Sequence, residues 1–361
     1  MNSENKPAQI RVLIVDDSAF MRTALSRMIS VDAGFHVVGT AASGIEALQK
    51  IAALDPDVVT LDMEMPGLDG LETLRSIMSQ FPRPVIMVSS VTERDKEPTR
   101  SALAAGAFDY VPKQLSGTSL DILDIREKLM AKIRAAAESR LPREERLLKK
   151  PSRAESPKRL GAPPSIAIIA LGVSTGGPKA LQEILPILPG DLPVPILIVQ
   201  HMPAGFITPF AERLNSLCAI SVRQASQGDL VRPGVAYLAP AGSHMTVDRS
   251  VAARTVIRLS AKPESQLHVP SVDVLMQSVA TEFRSQAMGI ILTGMGSDGT
   301  QGMSAIHREG GFTLGQDEAT SAVYGMPRAC AEAGILDKVV PLSQIPREIL
   351  QATRYRKSSA S

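Results

Sequence analysis

The sequence predicts two α/β domains, each a doubly wound parallel sheet, joined by a flexible linker. Three observations support this. Short continuous apolar runs such as IRVLIV at 10–15 recur between amphipathic stretches of helical period, as expected of strands covered on both faces. The alternation falls into two blocks, about 9–130 and 165–350. Between them, from Leu141 to Pro164, periodicity fails in a stretch with seven Lys/Arg, three Glu and five Pro, which cannot bury a core. The expected boundaries are 1–140, 141–164 and 165–361.

At 361 residues the chain is long enough for two or three domains with full cores. A net charge of +2, with no basic stripe, aromatic interleaving or helix-turn-helix pattern in the second half, gives no reason to expect nucleic acid as a partner. No run approaches the ~18–20 apolar residues of a membrane span, and the N-terminus reaches Asp16 and Asp17 before any secretory core, so direct membrane insertion is not expected. Cys218 and Cys330 form no CxxC pair, which fits a reducing compartment. The expectation is a soluble, cytoplasmic protein.

In the first block, strand 10–15 ends at Asp16 and Asp17. Ser18 then caps a helix expected to carry Phe20, Met21, Leu25, Met28 and Ile29 on its apolar side. Further strands are expected near 36–40, 57–61, 84–89 and 108–111, and helices near 44–53, 68–78, 94–105 and 119–138. Chemistry collects where strands end: Asp62 closes the third, Ser89 the fourth, and Lys113 follows the fifth. A parallel sheet brings these ends to one edge. Three carboxylates meeting there repel one another unless a cation sits among them, and oxygen-only ligands suit Mg²⁺. A single acidic residue at a strand end reads as well as a helix cap; the hydroxyl and the ammonium at the same edge favour a site.

These residues resemble a response-regulator receiver domain over about 9–130, with a flavodoxin-like fold. The resemblance implies that Asp62 accepts a phosphoryl group from a histidine kinase. Asp17, Asp62 and the Glu64 carbonyl would hold Mg²⁺, with Asp16 acting partly through water. Lys113 would pair with the phosphoryl oxygens, Ser89 would swing to bond them, and the rotamer of Tyr110 would follow Ser89. Gln114 departs from the proline the family often has after the lysine.

The second block is organised around IAIIALGVSTGGP at 166–178. A buried strand over Ile166–Leu171 breaks into a glycine-rich turn with Ser174 at the crevice edge and a helix after it. Spacing alone fits a phosphate-cradling turn as well as a nucleophile. Pro178 stands where a P-loop needs lysine, and no GxGxxG follows. The turn is not read as the elbow of an ordinary α/β-hydrolase. Of five histidines, only His201 ends a buried run, PILIVQH, the next strand along. His36 begins a receiver strand, His307 lies in a helix-like segment, and His244 and His268 flank loops. Asp298, in the turn after AMGIIL, supplies a carboxylate, with Asp317 competing at a neighbouring strand end. Asp229 and Asp273 are less suitably placed. Ser, His and Asp, each past a parallel strand, give the logic of a catalytic triad.

GVSTGGP, VQHMP, LTGMGSDG and QDEATSAVYGMP resemble the catalytic domain of the chemotaxis response-regulator protein-glutamate methylesterases, a Rossmann-like domain. The resemblance implies Ser174 as nucleophile, His201 as general base and acid, Asp298 as the residue orienting the imidazole, and the Met295 N–H with Thr175 at the oxyanion. The implied substrates are glutamate γ-methyl esters on chemoreceptor helices, and selected receptor glutamines for deamidation. No cofactor is implied in this domain. Both domains present chemistry at a sheet edge and a linker of ~20 residues can let one cover the other, so the unphosphorylated receiver is expected to dock over the Ser174 cleft, and phosphorylation at Asp62 to weaken that docking and relieve inhibition. Asp317, Tyr324 and Met326 receive no role beyond cleft or structure.

Overall fold

The computed structural model describes residues 9–89, 105–112, 126, 129–137, 166–202, 204–251, 254–263, 266 and 268–355. The chain divides into two units, Met1–Arg143 and Glu144–Ser361.

In the first unit the elements are β1 (Ile10–Val15), α1 (Ala19–Ser30), β2 (Phe35–Ala41), α2 (Gly44–Leu54), β3 (Val58–Asp62), α3 (Gly70–Gln80), β4 (Val85–Ser89), β5 (Asp109–Pro112) and a helical run α4 over 129–137. The strands pair in parallel in the order β2-β1-β3-β4-β5. Leu13, Ile14, Leu61, Ile86 and Met87 are fully buried, as a sheet covered on both faces requires. Side chains of Ser18, Ser43 and Asp69 accept from backbone N–H groups in the first turns of α1, α2 and α3. Every strand bound lies within one residue of expectation. The helix expected near 94–105 lies almost wholly outside the described residues, as does the first part of that expected near 119–138.

One expectation on α1 is corrected. Phe20 is 73% exposed, whereas Leu25 and Ile29 are buried. At 100° per residue, Phe20 stands well off the stripe that Leu25 and Ile29 define, so its apolar character does not place it inside.

The second unit contains β6 (Ile168–Val173), α5 (Gly177–Ile184), β7 (Ile196–Gln200), α6 (Ala204–Leu217), β8 (Ser221–Gln224), β9 (Val235–Leu238), β10 (His244–Val251), β11 (Arg254–Ser260), α7 (Val272–Phe283), β12 (Ala287–Ile291), α8 (Thr300–Arg308), β13 (Phe312–Gln316), α9 (Met326–Glu332), β14 (Lys338–Val340) and α10 (Ile345–Ala352). Seven strands form a parallel sheet ordered β14-β13-β12-β6-β7-β9-β8. Chain order reverses at β6, which lies between β12 and β7. That is the switch point where open sheets leave a crevice at their carboxyl ends.

The antiparallel pair β10–β11 is an addition to the expected doubly wound pattern. His244 begins β10, directly after the loop it was expected to flank. Met245, Val247 and Ile257 of this pair share a buried cluster with Val272, Leu275, Met276 and Val279 of α7. The Val247 N–H also donates to the Ser278 hydroxyl at 3.2 Å. Gly172, near the end of β6, has no side chain on the face where Val272 sits, and a Cβ there would collide with it. Helix α7 is thereby held close across β6, with its first residues at the crevice.

Gly70, the first residue of α3, lies so close to the Asp62 carbonyl that an added Cβ would collide with it. Gly70→Ala is therefore expected to destabilise the chain by about 1–3 kcal/mol in urea unfolding, by forcing α3 away from the Asp62 loop. An unchanged unfolding free energy would mean that this contact relaxes without cost.

Candidate active site

Ser174 follows directly on β6, and His201 directly on β7. The parallel register pairs Val173 with Gln200, so the next step sets Ser174 beside His201, at about the ~4.8 Å spacing of neighbouring strands. The His201 N–H donates to Val173 O at 3.2 Å, which locks that step. Gln200, itself buried, ties the two residues together: its Nε2 donates to Ser174 O at 3.0 Å and to His201 O at 3.1 Å.

The turn carrying Ser174 is tight. Gly176 adopts φ +76°, which permits the sharp entry into α5, and the Gly177 N–H returns to Ser174 O at 2.8 Å. Gly172, Ser174 and Gly176 stand at GxSxG spacing on a strand–turn–helix, but Ser174 is not among the residues of positive φ and so lacks the strained backbone of a nucleophile elbow. Thr175 is buried, and its carbonyl accepts from the Thr293 hydroxyl at 2.9 Å. Gly294, one residue before Met295, is pinned by its N–H to Val323 O at 3.0 Å and by the Gly325 and Met326 N–H groups on its carbonyl. An added Cβ on Gly294 would lie 2.9 Å from the Ser174 Cβ, so this turn packs directly against the serine. Tyr324 bridges to Gly294 and thus lines the same edge, with Arg328 5.7 Å over its ring.

His201 Nε2 and Asp298 Oδ2 are 2.8 Å apart, and both side chains are only 10% exposed. His201 Nδ1 is buried and makes no hydrogen bond among the described residues. One ring face stacks on His268, with centroids 4.2 Å apart. The Asp298 carboxylate sits on the N-terminus of α7: Oδ1 accepts from the Ser271 hydroxyl at 2.8 Å and the Asp273 N–H at 3.0 Å, and Oδ2 also accepts from the Val272 N–H at 2.8 Å. Burial acts to raise its pKa, but the hydrogen bond and charge of His201 and the backbone N–H groups outweigh it and hold the carboxyl at about 2. Asp298 is therefore a carboxylate throughout the physiological range.

The other candidates separate cleanly. Asp317 caps its own loop, accepting from the Thr320 N–H at 3.0 Å and the Thr320 hydroxyl at 2.6 Å. Asp273 accepts from the Gly302 N–H at 2.8 Å, and Asp229 from the Ser226 N–H at 2.9 Å. Burial pushes the Cys218 thiol up to about 11 and Cys330 to about 12, so neither offers a thiolate at neutral pH. Sequence reasoning did not single out Ser271, Gln200 or the packing of His268 on His201.

In the first unit, Asp16 and Asp17 follow β1, and Asp62 ends β3, its neighbour across the switch point. Carboxylate oxygens of the three lie within 4.8 Å of one another. Asp16 and Asp62 are buried and Asp17 is exposed. Arg22 Nη1 donates to the carbonyls of Asp16 at 2.7 Å and Asp17 at 2.9 Å, so it braces the loop through the backbone. The donor set, oxygen only and triply anionic, fits a hard divalent ion. The Glu64 N–H donates to Asp62 Oδ1 at 3.2 Å. Ser89 ends β4 one step beyond Val88, the partner of Asp62. The Tyr110 ring is buried, which together with Asp109 raises its phenol well above 10, and the Lys132 ammonium lies 4.7 Å from its centroid. Lys113 and Gln114 lie outside the described residues.

Two family profiles match this chain: the CheB methylesterase over 169–349 and the response regulator receiver domain over 12–122. Protein-glutamate methylesterase/protein-glutamine glutaminase 1 of Oleidesulfovibrio alaskensis is 44% identical over 366 residues, covering 95% of this chain and 99% of its own. The Pyrococcus horikoshii protein-glutamate methylesterase/protein-glutamine glutaminase is 43% identical over 347 residues, covering 95% and 94%. The crystal structure of the Thermotoga maritima CheB methylesterase catalytic domain superposes with a TM-score of 0.51 at 36% identity, covering 52% of this chain and 98% of its own. The molecule is thus a response regulator carrying a hydrolase domain. It belongs to the protein-glutamate methylesterase/protein-glutamine glutaminase family.

The depressed pKa of Asp298 has a stability consequence. The folded value of about 2 lies below the ordinary 3.8, so the stabilisation is complete above about 4 and is lost as pH falls through about 2. The difference corresponds to about 2 kcal/mol. Between pH 5 and 2, wild type should lose about that much more unfolding free energy than Asp298→Asn. Equal acid slopes would contradict the assignment.

Proposed function

We propose that Ser174, His201 and Asp298 carry the protein-glutamate methylesterase activity of this family member. The observation that carries the reading is Ser174 set in register beside His201, whose Nε2 lies 2.8 Å from Asp298 Oδ2. With Nε2 committed to Asp298, Nδ1 is the nitrogen left to take the serine proton. The Ser174 oxygen attacks the γ-carbonyl of a methylated glutamate as its proton passes to His201. The imidazolium so formed faces the Asp298 carboxylate, then protonates departing methanol. Water, activated by the same nitrogen, cleaves the acyl-enzyme and frees the glutamate carboxylate and Ser174. The oxyanion is held by the Met295 N–H, with Thr175 beside it. A glutamine amide passes through the same intermediate with ammonia leaving, which accounts for deamidation.

The receiver half controls this chemistry. Asp62 takes a phosphoryl group from a histidine kinase; Asp16, Asp17, Asp62 and the Glu64 carbonyl would hold Mg²⁺, which would supply positive charge to offset that of the transferred group. Lys113 pairs with the phosphoryl oxygens, and Ser89 and Tyr110 report the change. Phosphorylation relieves inhibition of the hydrolase, within the ~5–150-fold range usual for such coupling. The substrates are cytoplasmic helices of chemoreceptors, reached from the cytoplasm without membrane insertion; no helix among the described residues is long and apolar enough to cross a membrane. The domain limits that serve this reading are 1–140 for the receiver, 141–164 for the linker and 165–361 for the methylesterase.

Methanol release from methylated receptor membranes tests both halves. Ser174→Ala should abolish release, with a loss as large as ~10⁶. A phosphodonor should stimulate wild type but not Asp62→Asn. Absence of release from wild type with phosphodonor and a competent receptor would instead indicate a phosphorylation-controlled scaffold. In the receiver, Asp17→Asn should weaken Mg²⁺ binding by at least tenfold in a titration, and unchanged affinity would remove Asp17 from the ligand set.

A further inference from the structure

We propose that Ser271 is a positioning residue for the esterase reaction, its hydroxyl holding the Asp298 carboxylate so that Oδ2 is presented to His201. This rests on the reading of His201 and Asp298 as the base and its orienting carboxylate. Ser271 is 1% exposed, and its hydroxyl donates to Asp298 Oδ1 at 2.8 Å. Each carboxylate oxygen then has two donors: Ser271 and the Asp273 N–H on Oδ1, the Val272 N–H and His201 on Oδ2. With all four in place the carboxylate cannot turn without breaking a bond, so the imidazole it faces is held in one plane.

Capping α7 explains only part of this geometry. As a cap Ser271 uses an oxygen lone pair, accepting from the Val274 N–H at 3.4 Å much as Ser18 and Ser43 accept at 3.3 Å. The hydroxyl proton is what a cap does not need, and it is spent on Asp298. The serine is itself anchored. Its backbone N–H donates to Nδ1 of fully buried His244 at 3.1 Å, and Nε2 of that ring meets Pro263 O at 3.1 Å. An imidazole accepting at Nδ1 and donating at Nε2 is neutral, so His244 supports Ser271 without adding charge to the site. Strand β10, which begins at His244, thus reaches the catalytic pair through one serine.

The test uses the full chain with phosphodonor and methylated receptor membranes, comparing Ser271→Ala, Ser271→Thr, Ser271→Asp and Ser174→Ala. Misplacement of a catalytic group by about an ångström costs up to ~10²-fold. Ser271→Ala should therefore lower kcat by about 10–100-fold, with KM within about threefold. Ser271→Thr, which keeps the donor, should recover most of kcat. Ser271→Asp keeps a good cap but sets a second carboxylate against Asp298, and should fall at least as far as Ser271→Ala. The proposal is overturned if Ser271→Ala keeps wild-type kcat, if Ser271→Thr fails to recover it, or if Ser271→Asp recovers it as a mere cap would. Should Ser271→Ala not fold, the threonine and aspartate variants decide the matter alone. Activity surviving in Ser174→Ala would remove the underlying triad reading, an outcome separate from any of these.

Discussion

A carboxylate at the amino end of a helix is the interaction on which the catalytic unit depends. Asp298 is nearly buried, and a buried charge is tolerated only when its oxygens are fully hydrogen-bonded. Helix α7 supplies two backbone N–H groups and the positive end of its dipole. For that to work, α7 must lie close over β6, which Gly172 allows, and must be held there, to which β10–β11 contribute by sharing a buried cluster with it. The strand order completes the arrangement, placing β6 and β7 side by side so that Ser174 and His201 follow adjacent strand ends.

The two units apply the same rule of topology to different chemistry. Each has its site where strand order reverses: between β1 and β3 in the receiver, beside β6 in the esterase. In the receiver, three carboxylates converge and their mutual repulsion creates a place for a cation. In the esterase, one carboxylate is saturated with donors and its negative charge is turned toward an imidazole. The pairing of a receiver with a hydrolase is therefore a pairing of two electrostatic problems solved on like scaffolds.

Much of this was legible in the sequence because buried parallel strands are short apolar runs and their ends are marked by polar residues. Asp16, Asp17, Asp62, Ser174 and His201 all sit at such ends, so their convergence follows from strand adjacency. Asp298 was legible as a strand-end carboxylate, but its setting was not. Ser271 and Val272 stand more than twenty residues before it, and Ser271 reads locally as an ordinary helix cap. Gln200 looked like part of a strand, and nothing local says that its amide bridges Ser174 and His201. The stacking of His268 on His201 depends on how a loop returns to the crevice, which residue pattern does not encode. The β10–β11 pair did leave a signal, alternating residues in HMTVDRSV and RTVIRLS, and Phe20 shows the converse error of equating apolar with buried.

The central claim is that Ser174 becomes covalently acylated through His201 and Asp298. Acid quench of the full chain during turnover with a methylated receptor peptide, followed by mass spectrometry, tests it most directly. The account predicts an acyl adduct on the peptide containing Ser174, absent in His201→Ala and Ser174→Ala. Turnover with no adduct at Ser174, or an adduct on another residue, would contradict it.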